Sequence, residues 1–326
     1  MSPTIRPAAL RPGDRVDVIA LSGPQEPDER MLLDRGIAEL EALGFTVQVS
    51  SLATSRSRWR WAAAHPADLA DELNQALRNP DVRAIVALTG GQTTAGYLDL
   101  VDYDAIEHDP KPILGFSDIS SLLLAIHQRT GMVTFHAELG VHGFGKWADL
   151  DTGARDQLAD VYRRILTTPA PAGDLPQLRP WETWRGGRAQ GPLVGGMLNR
   201  IVRGQAGPFA LKPGRWDGAV LFWEEAWAST AGIWLDLHTL RQAGILDRIN
   251  AMIIGAPYEL RSNAGEPDDL RDIVLDVLAD RDIPVLGNVD VGHNLPNLPL
   301  PLGVRAEVDA SRRSLRLLEP AVTPRS

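Results

Sequence analysis

The first 120 residues alternate short β-branched runs with amphipathic stretches, and that alternation leaves few folds open. Arg15-Val16-Asp17-Val18-Ile19-Ala20 reads as a buried strand from its β-branched content. Residues 28–43 read as a helix, with Leu32, Ile37, Leu40 and Leu43 on roughly one face and Gly44 as its stop. Thr46-Val47-Gln48-Val49 is the next strand. Pro66 opens a helix as a first-turn proline and carries Leu69, Leu73 and Leu77 on one face. Ala84-Ile85-Val86-Ala87-Leu88 is a third strand, ending at Gly90-Gly91, and Ile113-Leu114 begins a fourth. Repeated β-α-β units require a parallel sheet covered on both faces. Ligands in such sheets sit beyond the carboxyl ends of the strands.

The second half repeats the theme less regularly. Leu158, Val161, Tyr162 and Ile165 mark a helix that closes the first half, and the proline-rich run 168–176 follows it. A domain boundary is expected there. The expected organisation is an N-terminal α/β domain over 1–168, a linker and substrate loop over 169–190, and a C-terminal domain over 191–326. In the latter, 219–223, 251–255 and 285–289 read as strands, and helices fall around 229–243 and 267–279. Val304 to Val308 and Leu315 to Leu317 alternate in and out, which suggests a terminal hairpin turning at Asp309-Ala310-Ser311.

One junction carries chemistry. Gly115-Phe116-Ser117-Asp118 lies between a short apolar strand and the apolar helix that starts near Ser120. A serine there projects from a sharp turn. The helix N-terminus beneath it offers unpaired N–H groups and a positive dipole end. A nucleophile beside a developing oxyanion needs that geometry. The motif is Gly-x-Ser-Asp, not Gly-x-Ser-x-Gly, and on these residues alone Ser117 or Asp118 equally suits a helix cap.

Composition narrows the function classes. With 44% hydrophobic and 23% charged residues in 326, a substantial core can form. A net charge of −9 without a basic run argues against nucleic acid as a partner. No cysteine is present, so disulfides, thiolate metal sites and a cysteine nucleophile are excluded. The scattered histidines form no His-x-x-x-His pair, and neither a metal nor another cofactor is expected. The first strand is followed by Leu21-Ser22-Gly23-Pro24-Gln25 rather than a dinucleotide fingerprint. The start of the chain lacks the apolar stretch of a signal peptide, and no run spans a bilayer, so a cytoplasmic protein without a membrane partner is expected.

Two further segments join Ser117. Leu221-Phe222-Trp223-Glu224-Glu225 puts carboxylates just past a buried strand, and Gly292-His293-Asn294 puts a histidine in a glycine-bounded loop. A nucleophilic serine needs a base, and the base needs an orienting acid. Taken singly, Glu224 is equally an ordinary ion-paired acid and His293 a structural loop residue.

Together these segments resemble the LD-carboxypeptidase family of serine peptidases, which includes the microcin C immunity proteins. The resemblance runs from Leu10-Arg11-Pro12-Gly13-Asp14 through Asn79-Pro80-Asp81, Gly90-Gly91, Gly115-Phe116-Ser117-Asp118 and Thr130 to His136. It continues with Gly191-Pro192-Leu193-Val194-Gly195-Gly196 and ends at Gly292-His293 with Leu300-Pro301-Leu302-Gly303. It implies a Rossmann-like parallel-sheet N-terminal domain, with the nucleophile at a strand-turn-helix junction, and a strand-rich mixed α/β C-terminal domain. It further implies Ser117 as nucleophile, His293 as base and Glu224 as orienting acid, with backbone N–H groups of Gly90, Gly91 and Asp118 as the oxyanion hole. A homodimer acting on a small-molecule peptide or aminoacyl-nucleotide is implied as well.

Departures from the family decide between substrates. Murein enzymes of the family carry Arg-Gly-Gly-Tyr-Gly where this chain has Thr89-Gly90-Gly91-Gln92-Thr93, which is similar to the immunity branch's Thr-Ile-Gly-Gly. A free carboxylate is well held by arginine. Without one at this turn, Arg185 or Arg188 would have to serve. Trp181 and Trp184, with Arg185, lie where the immunity branch carries aromatics near substrate, and an indole stacks on a nucleobase; packing of the linker is the alternative for both. The leading expectation is a serine amidase of the microcin immunity type. The alternatives are an LD-carboxypeptidase that removes D-Ala from a murein tetrapeptide, and a non-catalytic nucleotide-binding protein.

Overall fold

The computed structural model describes residues 4–55, 57, 59–261 and 269–325. Its first sheet is built from β1 (Arg15–Ile19), β2 (Thr46–Val49), β3 (Val82–Ala87), β4 (Ile113–Gly115) and β5 (Phe135–His136). These pair parallel in the spatial order β5-β4-β3-β1-β2. Every residue of β4 is buried, as helices on both faces of a parallel sheet require. Those helices are α1 (Arg30–Ala42), α2 (Pro66–Arg78), α3 (Tyr103–His108), α4 (Ser120–Thr130) and α5 (Thr152–Thr167). Pro66 sits in the first turn of α2 as expected, and Gly131 ends α4 in the left-handed conformation.

The second sheet has eight strands. They are β6 (Gly173–Asp174), β7 (Glu182–Arg185), β8 (Arg188–Met197), β9 (Val220–Glu224), β10 (Ala251–Gly255), β11 (Val285–Val289), β13 (Arg305–Asp309) and β14 (Ser314–Leu317). Strands β8 to β11 run parallel, and the flanking strands β13, β14, β6 and β7 are antiparallel. Helices α6 (Leu198–Gly204), α7 (Pro213–Trp216), α8 (Thr230–Gln242) and α9 (Leu270–Leu278) connect them. The expected terminal hairpin is β13–β14. The stretch 169–190, expected as a linker and substrate loop, instead supplies β6 and β7 at opposite edges of this sheet. The backbone groups of these two strands are thereby paired within the sheet.

One short strand binds the two halves together. β12 (Leu300–Pro301) belongs by sequence to the C-terminal half but pairs antiparallel with β5, at the edge of the first sheet. The loop between β11 and β12 is therefore anchored in one sheet at its start and in the other at its end. That loop carries His293.

Candidate active site

The turn after β4 is tight because Gly115 lacks a side chain; a Cβ there would meet Ile119 at 2.8 Å and Ala87 at 3.1 Å. Ser117 follows with φ of +62°, a conformation rare outside glycine and costly unless the surroundings enforce it. Its Oγ lies 3.1 Å from His293 Nε2, and His293 Nδ1 lies 2.6 Å from Glu224 Oε2. A carboxylate only accepts, so Nδ1 carries the proton and donates to Glu224. Nε2 is left to accept from the serine hydroxyl. Three rings surround the imidazole: Phe116 and Trp227 edge-on, at 4.8 and 5.2 Å, and Tyr258 roughly parallel at 6.2 Å.

Glu224 is buried at the end of β9. Burial alone would raise its pKa, but the charge and hydrogen bond of His293, with help from His136, hold it below the ordinary value. Glu225 differs. Burial and the adjacent Glu224 charge push it up to about 7, and it accepts from Asn199 N and Nδ2 at 3.1 and 3.0 Å. Adjacent carboxylates thus have separate duties: one faces the histidine, the other ties β9 to α6.

The Gly90-Gly91 turn lies against Ser117. A Cβ on Gly90 would sit 3.0 Å from both Cβ and Oγ of Ser117. Asp118 fixes this turn through its side chain, a role the sequence did not suggest. Its Oδ2 accepts from Ser22 Oγ at 2.6 Å, Thr93 N at 2.8 Å, and Thr94 N and Oγ1 at 2.9 and 2.8 Å. Its Oδ1 accepts from Arg200 Nε at 2.8 Å, and Arg200 Nη2 reaches Gly91 O at 3.2 Å. Burial opposes ionisation of Asp118, but Arg200 and these hydrogen bonds outweigh it and depress the pKa. The Ser117 turn and the glycine turn are thus one hydrogen-bonded unit.

A cavity of about 590 Å³ opens over Ser117 and His293. Lys146 and Arg203 supply positive charge to its wall, Glu26 and Glu29 supply negative charge, and the exposed indoles of Trp61 and Trp227 supply apolar surface. The structure does not bring Trp181, Trp184 and Arg185 to this cavity. Trp181 is buried, with Nε1 donating to Asp290 at 2.8 Å. Trp184 is buried against the Gly287 backbone and donates to Glu182 at 2.8 Å. Arg185 donates to the Arg281 and Ala279 carbonyls, and Arg188 pairs with Glu307. β7 is an edge strand, and the indoles of Trp184 within it and Trp181 just before it are buried away from the site. Trp227 was within reach of sequence reasoning, since it lies two residues past the Glu224-Glu225 pair. Arg200 and Trp61 carry no local signal.

Two family models match this chain: the LD-carboxypeptidase N-terminal domain over residues 16–137 and the C-terminal domain over 190–308. The chain belongs to the LD-carboxypeptidase family. As a member it is a serine peptidase, a two-domain α/β protein in which the matched N-terminal segment ends just past β5. A putative carboxypeptidase of Streptomyces coelicolor is 33% identical, over 99% of each chain. The microcin C7 self-immunity protein MccF of Escherichia coli is 28% identical over 96% of this chain and 95% of its own. Among solved structures, MccF in complex with aspartyl sulfamoyl adenosine superposes with a TM-score of 0.87 at 26% identity, covering 98% of this chain and 100% of that one. Among the described residues no helix is long and apolar enough to cross a membrane.

Proposed function

We propose that this LD-carboxypeptidase family member hydrolyses the amide bond of an aminoacyl-nucleotide-like compound, with Ser117, His293 and Glu224 as its catalytic residues. The observation that carries the proposal is the continuous chain Ser117 Oγ–His293–Glu224, at 3.1 and 2.6 Å, opening into the 590 Å³ cavity. Ser117 Oγ attacks the carbonyl carbon while His293 Nε2 takes its proton. Glu224 holds the tautomer and stabilises the imidazolium. Backbone N–H groups of Gly91 and Asp118, with the Gly90 turn, face the developing oxyanion, each such donor contributing about 3 kcal/mol. His293 then returns the proton to the leaving amine. Water repeats the cycle on the acyl-enzyme.

The substrate class is supported by the MccF complexes with aminoacyl sulfamoyl nucleosides, which superpose at TM-scores of 0.87. Thr89 in place of an arginine at the glycine turn supports it too. Trp61 and Trp227, exposed at 58% and 46% on the cavity wall, take over the base-stacking expected of Trp181 and Trp184. The second reading is removal of D-Ala from a murein tetrapeptide. Lys146 and Arg203 favour it, as cations on the wall able to meet a terminal carboxylate, and so does the 27% identity to a probable murein peptide carboxypeptidase of Bacillus subtilis. In either case the reading places a homodimer in the cytoplasm.

The test offers aspartyl or glutamyl sulfamoyl adenosine and a murein tetrapeptide to wild-type and Ser117→Ala protein, with products read by mass spectrometry. Serine-dependent cleavage of the nucleoside supports the proposal. Cleavage of the tetrapeptide alone establishes the second reading, and turnover by Ser117→Ala would remove the nucleophile assignment.

A further inference from the structure

Beneath the triad lies a second imidazole that the reaction as described does not use. His136 is fully buried in β5, opposite Gly115 of β4 on one side and Leu300 of β12 on the other. Its ring packs edge-on to Phe222 at 5.3 Å and tilted to Phe116 at 6.0 Å. Phe222 and Glu224 are two apart on β9 and so share a face. Phe116 precedes the nucleophile. His136 thus stands where both sheets meet under Ser117 and Glu224.

Its polar atoms present a deficit. Neither ring nitrogen of His136 has a hydrogen-bond partner, and neither has Oε1 of Glu224, the carboxylate oxygen turned away from His293. Burial, only partly opposed by the Glu224 charge, lowers the His136 pKa to about 4 and keeps the ring neutral. A neutral imidazole carries one N–H and one acceptor nitrogen. A buried carboxylate oxygen without a donor and a buried N–H without an acceptor are each costly, and they complement each other. The charged groups acting on this ring are Glu224 from β9 and His293 from the β11–β12 loop. Its remaining ring neighbours, Phe116 and Phe222, are apolar.

We propose that His136 is a positioning residue of the site: its N–H donates to Glu224 Oε1 across one buried water. The triad carboxylate is then held by an imidazole on each oxygen, His293 in the site and His136 behind it. Two donors fix the plane of the carboxylate, and with it the direction in which Oε2 presents to His293. They also spread its negative charge, so that Glu224 stays ionised without drawing the proton of His293 onto itself. This rests on the triad assigned above, but its first test needs no turnover.

Nitrogen-15 NMR of histidine-labelled protein reads the tautomer of His136 directly. The expected result is one neutral tautomer from pH 5 to 9, with a slowly exchanging N–H whose resonance shifts in Glu224→Gln. A His136 resonance unmoved by Glu224→Gln overturns the proposal, whatever the enzyme cleaves. The second test compares His136→Gln, which keeps a donor, with the similarly sized His136→Met, which does not. The Met variant should lose about tenfold or more in kcat/KM, as for a lost hydrogen bond to a charged group. The acid limb of its pH profile should move to higher pH, because a less satisfied carboxylate makes the His293–Glu224 pair bind its proton more tightly. His136→Gln should restore the wild-type limb. A folded Met variant with the wild-type profile overturns the proposal. If the Met variant does not fold, the resonance shift in Glu224→Gln decides.

Discussion

Replacing Gly90 by alanine tests whether the glycine turn serves the site through close approach alone. Gly90 is not in the left-handed region, so its backbone accepts alanine without strain. The atoms nearest the added Cβ are Ser117 Cβ and Oγ at 3.0 Å, with Leu139 Cδ1 at 3.9 Å. A Cβ contact at 3.0 Å is tighter than ordinary packing, so the serine or the turn must yield by a few tenths of an ångström. Ser117 is already held at φ +62° and 3.1 Å from His293, leaving few directions in which to move. A misplacement of about 1 Å at a reacting atom costs on the order of 100-fold, so this smaller shift should cost on the order of 10-fold, or about 1.4 kcal/mol of transition-state stabilisation. Stability should change little, since alanine also removes freedom from the unfolded chain, worth about 0.4–1 kcal/mol. The assay is kcat/KM on aspartyl sulfamoyl adenosine beside a urea unfolding curve. Activity close to wild type would refute the reasoning. So would an activity loss that merely follows a lowered unfolding midpoint. Gly91→Ala is the contrast: with φ of +153° and a Cβ 2.5 Å from Ser22 Oγ and 2.7 Å from Gly23 N, it should damage the fold itself.

Three other perturbations have defined outcomes. Asp118→Ala leaves the Arg200 guanidinium, only 10% exposed, without its carboxylate, and should cost about 3–5 kcal/mol by denaturant titration. Because the native Asp118 pKa is depressed, its contribution is present at neutral pH and is lost as pH falls through the carboxylate range. Glu138 behaves in the opposite sense. Burial raises it to about 8, against hydrogen bonds from Trp147 and Asn297, and Asn297 in turn accepts from Gly292 N beside His293. The protonated form is favoured on folding, so stability is greatest below the unfolded pKa and is lost as pH rises from about 4.5 to about 8, by roughly 5 kcal/mol in all; Glu138→Gln should flatten unfolding curves across that window. Trp184→Ala should cost about 3–5 kcal/mol of stability with KM unchanged, whereas a raised KM in a stable variant would return that indole to the site.

The sequence by itself determined what neighbouring residues determine. The β-branched runs at 15–20, 46–49 and 84–88, the proline that opens α2 and the glycine before Phe116 each act within a few residues, so the parallel sheet and the sharp serine turn were legible there. The helices 28–43 and 229–243 appear as Arg30–Ala42 and Thr230–Gln242 for the same reason. What joins Ser117 to His293 spans 176 positions, and no local period encodes it. Only the tertiary structure decided that β12 crosses to the first sheet and carries the histidine loop over the serine. The same holds for Asp118, which looked like a helix cap. Its carboxylate is spent on Ser22, Thr93, Thr94 and Arg200, partners brought near by the segments after β1 and β3 and by α6. Trp181 and Trp184 show the converse. Their composition suits a ligand, but an indole takes whatever apolar surface the fold puts beside it, and at the edge of the second sheet that surface is the core.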